Sequence, residues 1–228
     1  MVVTDSGMTE ETLRAYREKV DHELKHALRR SFDLGFLGSM PIADQVDHAL
    51  GFVSILELER GGPPSAVIDL GTGGGVPGLV LASCWPDTRV VLMDGNERRT
   101  SFLQEVVEGW PGPVRAEVLR GRAEELGRRP ELREAFDGVT SRSFGIPAAT
   151  AECGSAFLEV GGSMVVSEPP DIDRSERWPE AGLLRLGLSP ASVLRPLGKF
   201  GYQVLTKDTN IDDRYPRRVG VPVKRPLF

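Results

Sequence analysis

Apolar residues recur at three- and four-residue steps through the first sixty positions, then give way to short apolar runs separated by polar helical stretches. Leu13, Tyr16, Val20, Leu24 and Leu28 mark one face of an amphipathic helix predicted over Thr9–Arg30. After a loop with Gly35, Gly38 and Pro41, a second helix is predicted over Ile42–Leu58, with Ile42, Val46, Ala49, Leu50, Val53 and Leu56 on its apolar face. RGGPP, residues 60–64, closes this N-terminal helical extension of residues 1–60. In the main domain, 61–228, strands and helices alternate, the pattern of a parallel sheet covered by helices. Strands are predicted at Ala66–Leu70, Arg89–Asp94, Val114–Leu119, Phe136–Ser143 and Gly162–Ser167, followed by an antiparallel pair at Val193–Leu197 and Tyr202–Lys207. The polar stretch Glu168–Glu180 between them reads as a mobile loop or lid.

The densest chemistry lies in VIDLGTGGGVPG, residues 67–78. A buried strand here runs into five glycines, and Pro77 suits the first position of a helix. Such a turn brings backbone amides close to a bound nucleotide-like group. Gly73, Gly75 and Gly78 satisfy the dinucleotide fingerprint G-x-G-x-x-G. Asp69, Gly71, Gly73 and Gly75 satisfy the D-x-G-x-G-x-G loop that binds S-adenosylmethionine (SAM). The acid favours SAM, because Asp69 suits the sulfonium and amino acid end of that cofactor and would repel a pyrophosphate. Asp69, Gly71, Thr72, Gly73, Gly75 and Gly78 are therefore the expected cofactor loop.

Ligands of open α/β sheets bind beyond the carboxyl ends of the strands, where four segments of this chain converge. Asp94, closing the second strand, is placed to hold the ribose hydroxyls, with helix capping as its alternative. Ala123 and Glu124 are placed to read the adenine edge, or else begin an acid-rich helix. Arg142 points to a substrate's phosphate or base, or to a structural ion pair.

Composition narrows the chemistry further. The 228 residues carry a net charge of −5, which disfavours a protein that coats nucleic acid but leaves room for a local basic patch. No apolar run approaches the roughly 18 residues a membrane helix needs, and no signal-peptide order opens the chain, so a cytoplasmic protein is expected. Cys84 and Cys153 have no metal or redox spacing and read as buried thiols. His22 and His26 lie four apart without a third ligand, so no metal is expected. No catalytic triad or metalloprotease motif is present, whereas methyl transfer from an activated sulfonium to an acceptor such as guanine N7 requires no general base.

VIDLGTGGGVPGLVLA, VVLMDGNERRTSFLQEVV, GRAEEL, FDGVTSRSF and the closing YPRRVGVPVKRPL together resemble the glucose-inhibited-division B family. The resemblance spans residues 40–226. It implies a class I SAM-dependent methyltransferase of Rossmann-like α/β fold, with a seven-stranded, mostly parallel sheet. It also implies methylation of a guanine N7 in small-subunit ribosomal RNA. On this resemblance the tail residues Arg217, Arg218, Lys224 and Arg225 would contact RNA phosphates, and Arg142 would serve transfer. Two positions depart from the family pattern. Ser167-Glu168-Pro169 stands where Lys-Gly is usual, an anion expected to repel phosphate. Gly51 and Phe52 stand where Asp and Ser usually follow the histidine at His48. A paralogue methylating a small molecule, and a SAM-binding protein without turnover, are the competing readings.

Overall fold

The computed structural model describes residues 3–4, 10–112, 114–169, 177–196 and 200–228. One sheet organises them, in the order β1-β7-β8-β6-β5-β2-β3-β4. Its parallel half consists of β2 (Ala66–Leu70), β3 (Arg89–Asp94), β4 (Ala116–Arg120), β5 (Phe136–Ser141) and β6 (Leu158–Glu168). Strand β8 (Gly201–Lys207) pairs antiparallel with both β6 and β7 (Leu188–Leu194). These are the seven strands expected from the sequence. An eighth, the two-residue β1 (Val3–Thr4), joins at the β7 edge. Strand β7 starts five residues before its predicted position, with Pro190 inside it at a register shift. Proline next to an irregularity is tolerated near a sheet edge and hides the strand from a pattern search.

Helix α4 (Gly78–Cys84), α5 (Glu97–Glu108), the short α6 (Ala123–Leu126), α7 (Pro147–Ser155), α8 (Glu180–Leu184) and α9 (Val221–Lys224) complete the main domain. The first predicted helix is divided into α1 (Glu10–Lys19) and α2 (His22–Asp33). Asp21 causes the break: it takes extended backbone and its carboxylate accepts from the Leu24 N–H at 2.8 Å, an N-cap. The apolar period runs through the break because both helices face one core, with Val20 buried at the junction.

Helix α3 (Ile42–Arg60) is buried on most of its circumference, from Gln45 through Leu56. It packs against α4 and β6, and its Leu50, Phe52 and Leu56 share a core with Val67, Leu79 and Tyr202. Gly51 lies within that core. A Cβ on it would stand 2.1 Å from the Tyr202 hydroxyl, which donates to the His48 carbonyl at 2.7 Å. Tyr202 thus fills the space beside the helix, and glycine is what admits it. A second core lies on the other face of the sheet, around Phe136, Phe157, Leu158 and Leu205. Cys84 and Cys153 are buried and unpaired, and burial pushes the Cys84 thiol up to about 12.

Candidate active site

The loop after β2 is shaped by three left-handed glycines, Gly71, Gly73 and Gly75, at φ +64°, +58° and +98°. Their surroundings differ. A Cβ at Gly73 would meet nothing closer than 3.8 Å, so this position is open to a ligand. A Cβ at Gly78 would lie 2.1 Å from Leu92 Cδ2, so that glycine lets α4 sit against β3. Gly75 is closed by Leu79, and Gly71 by Phe144.

Asp69 lies behind this loop, fully buried. It accepts from the Gly78 N–H at 3.0 Å and the Thr140 hydroxyl at 2.9 Å. Instead of facing the cofactor space, as the sequence suggested, it anchors the N-terminus of α4, because residue 69 points inward beneath that helix. Burial raises its carboxyl to about 6, opposed by its hydrogen bonds and by the charge of Arg142.

Asp94 ends β3 beside the glycines. It accepts from the Gly73 N–H at 2.9 Å and the Asn96 N–H at 2.8 Å. A carboxylate offers about four acceptor positions, so lone pairs remain for a ribose hydroxyl beside Arg99, whose Nη1 lies 3.6 Å from Oδ2. The cavity in front of the loop has a volume of about 510 Å³. Gly71 to Gly74 form its floor, and Phe36, Met40, Gln45, His48, Arg99 and Arg142 contribute to its walls. Arg142 donates to the Gln45 side chain, and burial lowers its pKa. The open glycine, the acid with free acceptor positions and the cavity fit SAM.

A second cavity, of about 370 Å³, shares Met40, His48 and Ser143 with the first. Its walls include Ser141, Phe144, Thr150, Trp178 and Phe200, at the carboxyl ends of β5 and β6. His48 lines both spaces. Its ring stacks on Phe200 at 4.4 Å, and its Nε2 lies 2.9 Å from the Ser167 hydroxyl. Burial, assisted by the positive charge of Arg142, lowers its pKa to about 4, so the imidazole is neutral at physiological pH. Ser143 takes φ +59°, a left-handed turn directly after Arg142.

Glu168 corrects the expectation that it repels phosphate. It is buried, and accepts from Arg177 Nε at 2.8 Å and the Trp178 indole N–H at 3.2 Å. The guanidinium neutralises it, leaving no bare anion at the cleft. The pairing was not legible in the sequence, because nine residues separate the partners across a loop of which 170–176 lie outside the described residues.

The tail divides in two. Arg217 donates from Nε and Nη2 to Glu152, at 2.9 and 2.6 Å, and its N–H reaches the same carboxylate at 2.7 Å. It fastens the tail to α7 and so is a structural arginine, not a free phosphate ligand. Glu124 does the matching work beneath α6. It is buried; its Oε1 accepts from the Gly220 N–H at 2.9 Å, while its Oε2 has no hydrogen-bond partner. Ala123 is buried beside it. Arg218, Lys224 and Arg225 are exposed.

The family model described as GidB, rRNA small subunit methyltransferase G, matches residues 45–168. The chain belongs to this family. Relatives named ribosomal RNA small subunit methyltransferase G support the assignment. That of Leuconostoc mesenteroides is 31% identical, covering 94% of this chain and 83% of the relative. That of Symbiobacterium thermophilum is 33% identical over 80% and 78%, and that of Thermotoga neapolitana 31% over 92% and 91%. Solved structures agree on the fold. The antibiotic-resistance methyltransferase Kmr superposes with a TM-score of 0.51 at 16% identity, over 68% of this chain and 92% of that one. Human N-acetylserotonin methyltransferase in complex with SAM gives 0.52 at 13%, over 71% and 52%. The architecture is that of class I SAM-dependent methyltransferases, as the family resemblance implied.

Proposed function

We propose that this chain is a SAM-dependent methyltransferase acting on N7 of a guanine in small-subunit ribosomal RNA, in the bacterial cytoplasm. The observation that carries the reading is the pair of adjoining cavities, one on the glycine loop and one lined by aromatic rings, in a member of this family. When bound, SAM supplies a methyl group on a sulfonium, activated for in-line transfer. The loop and Asp94 hold that cofactor, with Thr72 and Gly73 against it. Met40, His48 and Ser143 form the passage through which an acceptor meets it. Guanine N7 carries a lone pair in the ring plane and no proton, so the site needs no base. A neutral His48 fits that requirement, adding no positive charge beside a sulfonium. Arg142, in the wall of the first cavity and held by Gln45, orients the acceptor where the two spaces meet. Arg218, Lys224 and Arg225 steer the RNA through its phosphates, a role that brings register and salt dependence without base specificity.

A small-molecule acceptor was suggested by the charge of Glu168 and by the acidic balance of the chain; the first argument lapses because Arg177 neutralises Glu168. The test is methyl-labelled SAM with purified protein and small ribosomal subunits lacking their native N7-methylguanine. Label recovered as 7-methylguanosine is the expected result. Tight SAM binding without transfer to the subunits would refute the acceptor while leaving the cofactor assignment intact.

A further inference from the structure

We infer that the second cavity, walled by Phe144, Trp178 and Phe200, receives the acceptor guanine everted from its stack, and that Ser141, Thr150 and His48 hold its edge. The inference rests on the function just proposed and assigns the substrate subsite within it. Buried polar side-chain atoms in folded proteins almost always have hydrogen-bond partners, so unmatched ones call for an explanation. Among the described residues, the buried side-chain atoms without a hydrogen-bond partner include His48 Nδ1, Ser141 Oγ and Thr150 Oγ1, with Thr72 Oγ1 and Glu124 Oε2 elsewhere. The first three belong to residues lining this one cavity. The residues are 7%, 1% and 1% exposed, so solvent contact does not account for them.

Their chemistry suits a neutral heterocycle. Hydroxyls donate or accept, and an imidazole nitrogen does either according to its tautomer. Three such groups between aromatic rings match the edges of a purine, which offers acceptors and donors around a flat face. Enzymes that modify bases read an everted base in this way, by edge hydrogen bonds and by stacking between aromatic or apolar side chains.

The walls are held before any ligand arrives. The Trp178 indole is tied to Glu168, which is itself tied to Arg177. Phe200 is stacked on His48, whose Nε2 faces Ser167. Glu168 is thus a positioning residue that fixes an aromatic wall. The passage at Met40, His48 and Ser143 brings the base to the cofactor space. In the transfer the N7 lone pair forms the bond to the methyl carbon and the C–S electron pair stays on sulfur. The positive charge passes to the purine, and no proton moves.

Thr150→Val and Ser141→Ala separate this role from a structural one. Each removes a hydroxyl that is unmatched in the free protein, so a structural reading predicts unchanged or raised thermal stability and unchanged transfer. We expect unchanged or raised stability, unchanged SAM affinity, and label transfer to unmethylated small subunits reduced about tenfold in each variant. Wild-type rates in both variants would overturn the subsite alone. A parallel loss of SAM affinity would assign the cavity to the cofactor and overturn it too. No transfer by the wild-type protein would sink the function and the subsite together. Label appearing on free guanosine but not on subunits would overturn the everted base.

Discussion

Replacing Arg217 with alanine tests whether this arginine builds the protein or binds its substrate. Glu152 is fully buried, with 0% of its side chain exposed, whereas the Arg217 side chain keeps 23%. The pair makes contacts at 2.6 to 3.0 Å through Nε and Nη2, and the backbone N–H of residue 217 adds another at 2.7 Å. Alanine leaves the carboxylate in place with only that N–H. Removing one partner of a buried ion pair costs about 3–5 kcal/mol, because the remaining charge loses its compensation. Partial hydration of the guanidinium places the expectation at the lower end, about 3 kcal/mol. For a chain of this size that is a fall of about 6–12 °C in Tm. Urea unfolding of wild type and variant measures it. A double variant, Arg217→Met with Glu152→Leu, removes both charges and should recover most of the loss. Arg218→Ala serves as the comparison, with stability unchanged and the slope of log affinity for RNA against log salt reduced by about one. The argument is refuted if Arg217→Ala unfolds at the wild-type urea concentration while lowering that slope as Arg218→Ala does.

Arg142→Ala should abolish transfer and spare SAM affinity. Loss of both in calorimetry would reassign Arg142 to the cofactor. Gly51→Ala should destabilise the fold by about 2 kcal/mol, since overpacking outweighs the gain in helix propensity; an unchanged urea midpoint would show that Tyr202 yields. Acid acts on the site in two opposed directions. His48 falls from 6.5 to about 4 on folding, so its neutral form is favoured by the fold and stability is lost as pH drops below 6.5. At pH 5 that loss is about 2 kcal/mol, at about 1.4 kcal/mol per pKa unit. Asp69 rises from 3.8 to about 6, so stability increases as pH drops below 6, by about 1.4 kcal/mol at pH 5. The stability difference between His48→Gln and wild type should therefore shift by about 2 kcal/mol in favour of the variant between pH 7 and pH 5. A difference independent of pH would show that His48 titrates normally.

The alternation of apolar strands with amphipathic helices was enough to determine the sheet. Each main strand depends on a local run of β-formers; Pro190 in β7, the two-residue β1 and the first four residues of β6 escaped. The glycine loop was equally legible, because left-handed turns at Gly71, Gly73 and Gly75 leave a local mark in the residue type. Asp21 also carried a local signal, an N-cap, which the uninterrupted apolar period concealed. What the tertiary structure alone decided was the direction in which charged side chains face. Asp69 and Arg217 have the residue types of a binding site, yet they turn inward to hold α4 and the tail. Glu168 has the wrong charge for an RNA-facing cleft, yet it meets Arg177 and fixes Trp178. The second cavity is assembled from His48, Ser141, Thr150, Trp178 and Phe200, which lie on five separate segments. Backbone conformation is set largely by neighbours in sequence, whereas the partner of a charge or a hydroxyl is set by whatever folding brings within about 3 Å. That distance has no counterpart in residue spacing, so the fold could be read from this chain and the acceptor pocket could not.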